Sequence, residues 1–349
     1  KPKAIPAYNS SGLGLMSPEA AADEAEKLLA GGFLSVKLRL GHPNLEQDLV
    51  QYGRHGVYHR DRGEGMVDED PRLVSGAADA EPVTVIADTM RVSPDSSWAT
   101  AYYKVNIQKG TMITQCDSAM IYDKEKRVEL FGNPLAKQDN VWMKGDCMLA
   151  FYNEEEVTRV DILGNAEIRE VPRDSLVLDR DNWIRGDTLT LYLHDNDVDS
   201  VRVTGNAESE YHPTNPGRTE RNRIAGDRMF LRMGREEIEW VDVQGRASGT
   251  YRYVDLAKGQ TADTLRAASD TSLTYVPFAT KAQRVDYAAS RIQYDAHKQD
   301  LFLRGTSQVS YHGSVLTGET ITYHADQQIL DASGSPTLTE GDQKIYGER

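Results

Sequence analysis

The chain has 349 residues, of which 40 are Lys or Arg and 54 are Asp or Glu, so its formal charge is −14. This acidic balance argues against nucleic-acid binding, because phosphate backbones are recognised mainly through positive charge. Two cysteines exclude a disulfide-built scaffold and a cysteine-rich zinc module. No stretch approaches the roughly 18 apolar residues of a membrane-spanning helix. Hydrophobic residues make up 39% of the chain, a low fraction that suggests elements buried on one face only.

Residues 1–50 have the pattern of a short α/β segment. Pro18 suits the first position of a helix, and residues 20–30 are strong helix formers. We expect a short strand over residues 33–40 and a second helix beginning near Asn44. The composition then changes abruptly, and no helical periodicity persists beyond it.

From about Tyr52 to the end, short predicted strands alternate with Gly, Asn, Asp and Pro turns, and the pattern repeats. Three copies open with Gly-Asp and reach a predicted turn glycine 19 residues later; the pairs are Gly145/Gly164, Gly186/Gly205 and Gly226/Gly245. A shorter version has an offset of 16 residues; its pairs are Cys116/Gly132, Ala289/Gly305, Gly318/Gly334 and Ala87/Tyr103, where the glycine is replaced. A degenerate copy is expected to start near Ala262.

The third and fifth positions after each start are predicted to point into an apolar interior, because alternate residues of a strand share a face. They include Met90, Val92, Ile121, Met148, Leu189, Leu191, Met229, Leu231, Ile292, Tyr294, Ile321 and Tyr323. Their neighbours are mostly polar. Two short strands cannot bury an apolar face alone, so the copies are expected to stack around one continuous interior. A purely structural β-solenoid, which packs only against itself, would have the same pattern.

Three phrases of this repeat resemble a known family. They are residues 128–134 (Val-Glu-Leu-Phe-Gly-Asn-Pro), residues 143–146 (Met-Lys-Gly-Asp) and residues 160–166 (Val-Asp-Ile-Leu-Gly-Asn-Ala). They are similar to the OstA-like, or LptA–LptD, periplasmic lipopolysaccharide-transport family, and the resemblance covers roughly residues 52–349. It implies a mostly β fold, a stacked β-jellyroll or "β-taco" repeat array following the short α/β segment.

The resemblance also implies a function. In that family stacked strands form an apolar groove that shelters lipid acyl chains, and open end strands let modules join edge to edge. We therefore expect a non-enzymatic lipopolysaccharide-binding or transport scaffold of the periplasm or cell envelope, without cofactor or metal. The twelve positions given above would line its lipid groove. Gly347 opens a further copy, so the array is expected to be cut short at its C-terminus, and residues 52–250 and 251–349 are candidate sub-modules.

The N-terminal segment resembles something else. Residues 4–10, 32–43 and 45–49 look like the start of the barrel of mandelate-racemase-type enzymes of the enolase superfamily. That family ends its second barrel strand with a Lys-x-Lys pair, and this chain has Lys37 and Arg39 there. Arginine stays protonated and is a poor base. A fragment of such an enzyme is therefore the rival hypothesis.

Other candidate chemistry is sparse. The eight histidines show no metal-ligand spacing within a helix or strand. Cys116 and Cys147 lie in adjacent copies, so a disulfide between them is one alternative in an oxidising compartment. Arg218 to Arg223 are expected to lie in a loop. Residues 1–11 lack the apolar core of a signal peptide.

Overall fold

The structure is a computed structural model. It describes residues 23, 27, 38–40, 48–59, 61–76, 82–93, 98–153, 156–171, 181–195, 197–215, 218–234, 238–255, 282–324 and 329–347. Nearly all of these lie in β-strands, which confirms the predicted mostly β architecture. Asp23 and Lys27 are helical and exposed. The remainder of the helix predicted over residues 20–30, and the copy predicted near Ala262, lie outside the described residues.

The chain divides into two compact units, one of residues 1–139 and 144–155 and the other of residues 140–143 and 156–349. In the first unit the strands are β1 (Leu38–Leu40), β2 (Asp48–Tyr52), β3 (His55–His59), β4 (Glu64–Glu69), β5 (Arg72–Gly76), β6 (Val83–Ile86), β7 (Thr89–Ser93), β8 (Trp98–Lys109), β9 (Met112–Tyr122), β10 (Arg127–Phe131), β11 (Leu135–Gln138) and β13 (Cys147–Tyr152).

In the second unit the strands are β12 (Val141–Lys144, its last residue counted with the first unit), β14 (Val157–Glu170), β15 (Asn182–His194), β16 (Asp197–Tyr211), β17 (Thr214–Asn215), β18 (Arg218–Met233), β19 (Ile238–Asp255), β20 (Gln283–Asp295), β21 (Asp300–Tyr311), β22 (Ser314–His324), β23 (Ile329–Ser333), β24 (Thr337–Glu340) and β25 (Gln343–Tyr346). Neighbouring strands pair antiparallel, as in a meander. Within the described residues, no helix is long and apolar enough to cross a bilayer.

The start of the chain differs from the α/β prediction. The helix expected near Asn44 is wrong for residues 48–52, which form strand β2. β2 pairs antiparallel with β1 and, on its other side, with β5. A barrel of the enolase type is built from parallel strands, so this antiparallel pairing contradicts the barrel resemblance. Long-range pairing with β5 overrides the local sequence preference, as tertiary context commonly does.

The predicted turn glycines are not turns between strands. Gly164, Gly205 and Gly245 lie inside β14, β16 and β19, where the pairing register shifts by a β-bulge. Their φ angles are 69°, 74° and 74°, and the residue after each glycine is also left-handed. Glycine adopts such angles at little cost. A bulge bends its strand, so each of these three glycines bends one long strand, whereas Gly132 and Gly334 do separate two strands, β10 from β11 and β23 from β24.

The bends line up across the second unit and divide it into two arms. The first arm comprises residues 157–163, 188–194, 197–204, 228–233, 238–244, 291–295, 300–304, 320–324 and 329–333. The second arm comprises residues 166–170, 182–186, 207–211, 218–226, 247–255, 283–289, 307–311, 314–318, 337–340 and 343–346.

Candidate functional site

One row of apolar side chains crosses the first arm next to the bends. Direct cross-strand partners link its members, and each is at most 1% exposed. This deep row is Ile162, Leu189, Val203, Met229, Val243, Ile292, Leu303 and Ile321. A single sheet with one open face could not bury these residues so completely. The second arm therefore covers the deep row, and the deep row is a filled core.

A second row lies two residues farther from the bends on the same face. This rim row is Val160, Leu191, Val201, Leu231, Val241, Tyr294, Leu301 and Tyr323. Leu191 is 4% exposed and Leu231 is 7% exposed, whereas Tyr294 and Tyr323 are only half-buried. The stripe continues onto β23, where Leu330 is 42% exposed. The rim row is thus an apolar surface that is partly open to solvent.

The first unit has a shorter version of the same arrangement. Its deep row is Met90, Ala101, Ala119, Leu130 and Met148, and its rim row is Val92, Ala99, Ile121, Val128 and Ala150. The deep-row members are at most 7% exposed, while Ile121 and Val128 are half-buried. Alanines replace large side chains at four of these ten positions, so this unit offers less apolar volume per strand.

The twelve residues predicted for a lipid groove fall into two sets of six. Met90, Met148, Leu189, Met229, Ile292 and Ile321 lie in the deep rows. Val92, Ile121, Leu191, Leu231, Tyr294 and Tyr323 lie in the rim rows. The deep set is packed within the protein itself. Within the rim set, Ile121, Tyr294 and Tyr323 are half-buried and have surface available for a ligand, whereas the other three members are buried.

Glycines opposite the bends bring the two arms together. A Cβ at Gly186 would lie 2.4 Å from Val203 Cγ1, and a Cβ at Gly226 would lie 2.5 Å from Val243 Cγ1. Any larger residue would therefore displace the deep row. Farther out, burial raises the pKa of the Tyr294 hydroxyl, and the charges of Tyr211 and Glu220 on the second arm add to this shift. The rim row thus faces side chains of the second arm.

The inner face of the second arm was missed by sequence reasoning. It carries Glu220 and Asn222 on β18, Tyr251 on β19 and Tyr287 on β20, which we call the polar strip. The repeat pattern predicts inward positions only between the start of each copy and its glycine. The period of two resumes beyond the bulge, so continuing the count from Gly245 through Ala247 and Gly249 would have reached Tyr251.

The segment Arg218 to Arg223 is not a loop, and that prediction is wrong. It is the first part of β18 and pairs with the end of β19. Charged residues stand on both faces here, which hides the alternation expected of a strand. Arg221 faces outward and donates to Glu210 Oε2 at 2.7 Å, whereas Glu220 faces the inner side and is 9% exposed.

The remaining candidate groups are two cysteines and one surface cluster. Cys116 and Cys147 are both free thiols, and burial, aided by the charge of Asp117, raises the pKa of Cys116 to about 11. Within the part of the chain that the structure describes, one group could hold a metal ion: Glu156, His194 and Asp195, with ligand atoms within 4.8 Å of one another. His194 and Asp195 are exposed, and such surface groups are common without an ion.

A shallow depression of about 360 Å³ lies on the opposite face of the second arm. Polar side chains such as Arg223, Thr250 and Asp286 line it, at positions that alternate with the buried Ile224 and Tyr287. Because it opens on the wet side of the sheet, it is separate from the apolar rows.

A bent antiparallel sheet with two continuous apolar rows on its inner side defines a β-jellyroll scaffold. The family model described as "LptA/(LptD N-terminal domain) LPS transport protein" matches residues 114–329. That span is more than half of the chain, and the chain belongs to this lipopolysaccharide-transport family. The predicted family is thereby confirmed.

Among solved structures, the chain is similar to LptH of Pseudomonas aeruginosa, titled the LptA-homologous periplasmic component of the lipopolysaccharide transport device. The identity is 16%, the match covers 48% of this chain and 93% of LptH, and the TM-score is 0.28. No curated protein matches the chain.

Proposed function

We propose that this chain binds lipopolysaccharide or a related envelope lipid and shelters its acyl chains between the two arms of the sheet. The observation that carries this proposal is the rim row. It is apolar on eight neighbouring strands, half-buried on five of them, and backed by a filled deep row. With strands about 4.8 Å apart, the row is about 34 Å long.

The energetics favour acyl chains over lipid headgroups. Each methylene moved from water to an apolar surface gains about 0.8 kcal/mol. The chain is strongly acidic, with a charge of −14, and therefore repels anionic headgroups over most of its surface. Such a ligand is held by its hydrocarbon part, with its headgroup kept outside the arms. This function needs no catalytic group, cofactor or metal, and it belongs in the periplasm or cell envelope.

The proposal includes partners that add a strand to the sheet. All four residues of β25 are exposed, and Ile345 and Tyr346 are 65% and 71% exposed. One side of β25 pairs with β24. An exposed strand edge with apolar side chains is a template for another strand. Another module of the same fold would extend the apolar rows without a break.

Photocrosslinking from the rim row tests the lipid proposal. We would introduce a benzophenone amino acid at the half-buried Tyr294 or Tyr323, with Arg232 on the exposed outer face as the matched control. After incubation with purified lipopolysaccharide, crosslinks are expected from the two rim positions and not from position 232. The absence of crosslinks from both rim positions would instead support the purely structural β-solenoid, for which the filled deep row is the argument.

A further inference from the structure

The inner face of the second arm is polar where it faces the rim row. Tyr287 is 4% exposed, and its hydroxyl donates to Asn222 Oδ1 at 2.7 Å. These residues are on β20 and β18, so the side chain of Tyr287 crosses the intervening strand β19. It does so over Gly249, where a Cβ would lie only 2.2 Å from Tyr287 Cζ. The glycine is what allows the ring to lie flat against the strand.

The polar strip continues outward from Asn222. Tyr251 is the direct cross-strand partner of Asn222, and its hydroxyl is hydrogen-bonded to Glu220. Glu220 is 9% exposed, and burial raises the pKa of its carboxyl against the opposing effects of Tyr251 and Arg218. Asn222 and Tyr251 are half-buried, so part of their surface is open to a ligand.

The strip and the rim row bound the same space. The two arms approach closely at the bend, where a Cβ at Gly226 would lie 2.5 Å from Val243 Cγ1, and β18 carries the strip outward from there. Consistent with this, Glu220 in the strip contributes to the raised pKa of the Tyr294 hydroxyl in the rim row. An acyl chain that follows the rim row therefore passes the carboxamide and hydroxyl groups on the other side. A bare methylene there would leave polar groups without water, whereas a hydroxyl or amide would replace the lost hydrogen bonds. Isolated polar groups in an apolar site commonly set orientation and specificity.

We propose that the polar strip is a subsite for a hydroxyl or amide group carried on the acyl ligand. The second unit would then select acyl chains with such a group over plain hydrocarbon chains of the same length. This inference rests on the proposed function. A net hydrogen bond is worth about 0.5–1.5 kcal/mol, so the expected preference is about three- to tenfold.

The test compares two ligands that differ by one hydroxyl. Binding of tetradecanoic acid and 3-hydroxytetradecanoic acid to the intact chain is measured by displacement of a fluorescent fatty acid. The wild-type chain is expected to bind the hydroxy acid three to ten times more tightly. Asn222→Leu and Tyr287→Phe should each reduce this preference toward one and change the affinity for the plain acid less than twofold.

Tyr192→Phe is the matched control. Tyr192 follows the rim residue Leu191 on β15 and therefore points to the opposite face of the sheet, so removal of its hydroxyl should leave the preference intact. Equal binding of the two acids by the wild-type chain would overturn this inference and leave the proposed function standing. A preference that survives both strip substitutions would also overturn it. Failure to bind either acid would overturn the proposed function itself.

Discussion

Gly249 supports the polar strip through its lack of a side chain. In Gly249→Ala the new Cβ would lie 2.2, 2.4 and 2.5 Å from Cζ, Oη and Cε2 of Tyr287. All three distances are far below contact distance, and the ring is almost fully buried. The ring must therefore move, and its hydrogen bond to Asn222 is lost with it.

The expected change in unfolding free energy of Gly249→Ala is the sum of three effects. Overpacking of a filled interior costs about 1–3 kcal/mol, and loss of the hydrogen bond costs about 0.5–1.5 kcal/mol. Replacing glycine within a strand returns about 0.5–1 kcal/mol. The net loss of unfolding free energy is about 2 kcal/mol. It is measured by urea unfolding of the intact chain, followed by the fluorescence of tryptophans that include Trp183 and Trp240 of the same unit.

A double-mutant cycle separates this cause from a general effect of alanine. In a Tyr287→Ala background the clash is absent, so Gly249→Ala should now stabilise by about 0.5 kcal/mol. Gly65→Ala is the matched control, because its Cβ would meet Val92 Cγ2 at an ordinary 3.4 Å. An equal cost of Gly249→Ala in both backgrounds would refute the reasoning.

Two further substitutions test other features. Tyr103 replaces the bend glycine of the first unit and has a φ of 62°. This angle costs a non-glycine residue about 1–2 kcal/mol. Glycine would relieve this strain but would lose more backbone entropy on folding, so Tyr103→Gly should raise the unfolding free energy by about 0.5–1 kcal/mol. An unchanged or lower unfolding free energy would show that the tyrosine is not strained. Because burial raises the pKa of the Glu220 carboxyl, the wild type loses stability as the pH rises from about 4.5 through that raised value. Glu220→Gln should therefore stabilise the chain more at pH 8 than at pH 4 in thermal unfolding, and the opposite order would contradict a raised pKa.

The apolar interior could be predicted from spacing alone. Positions such as Leu189 and Leu191 recur at fixed offsets, and the period of two requires that they share a face. The family resemblance rested on short phrases around Gly132 and Gly164, where the order of residues along the chain is enough to recognise the motif. Both the mostly β architecture and the family were therefore accessible from the sequence.

The sequence could not predict whether a given apolar position lies in the core or on open surface. Leu189 and Tyr294 obey the same alternation, yet Leu189 is fully buried and Tyr294 is half-buried. Residues next to the bend are covered by the second arm, and within the rim row exposure also depends on the strand, because Leu191 is 4% exposed. This coverage is set by pairing between strands far apart in the sequence.

The sequence by itself determined which residues of each strand point inward, because alternation is a local property of extended backbone. The tertiary structure decided what the repeated glycines do. A left-handed glycine suits a tight turn and a β-bulge equally well, and only the continued pairing of Ala207 with Gly226 beyond Gly205 identifies a bulge. From that bend follow the covered deep row, the open rim row and the polar strip that faces it.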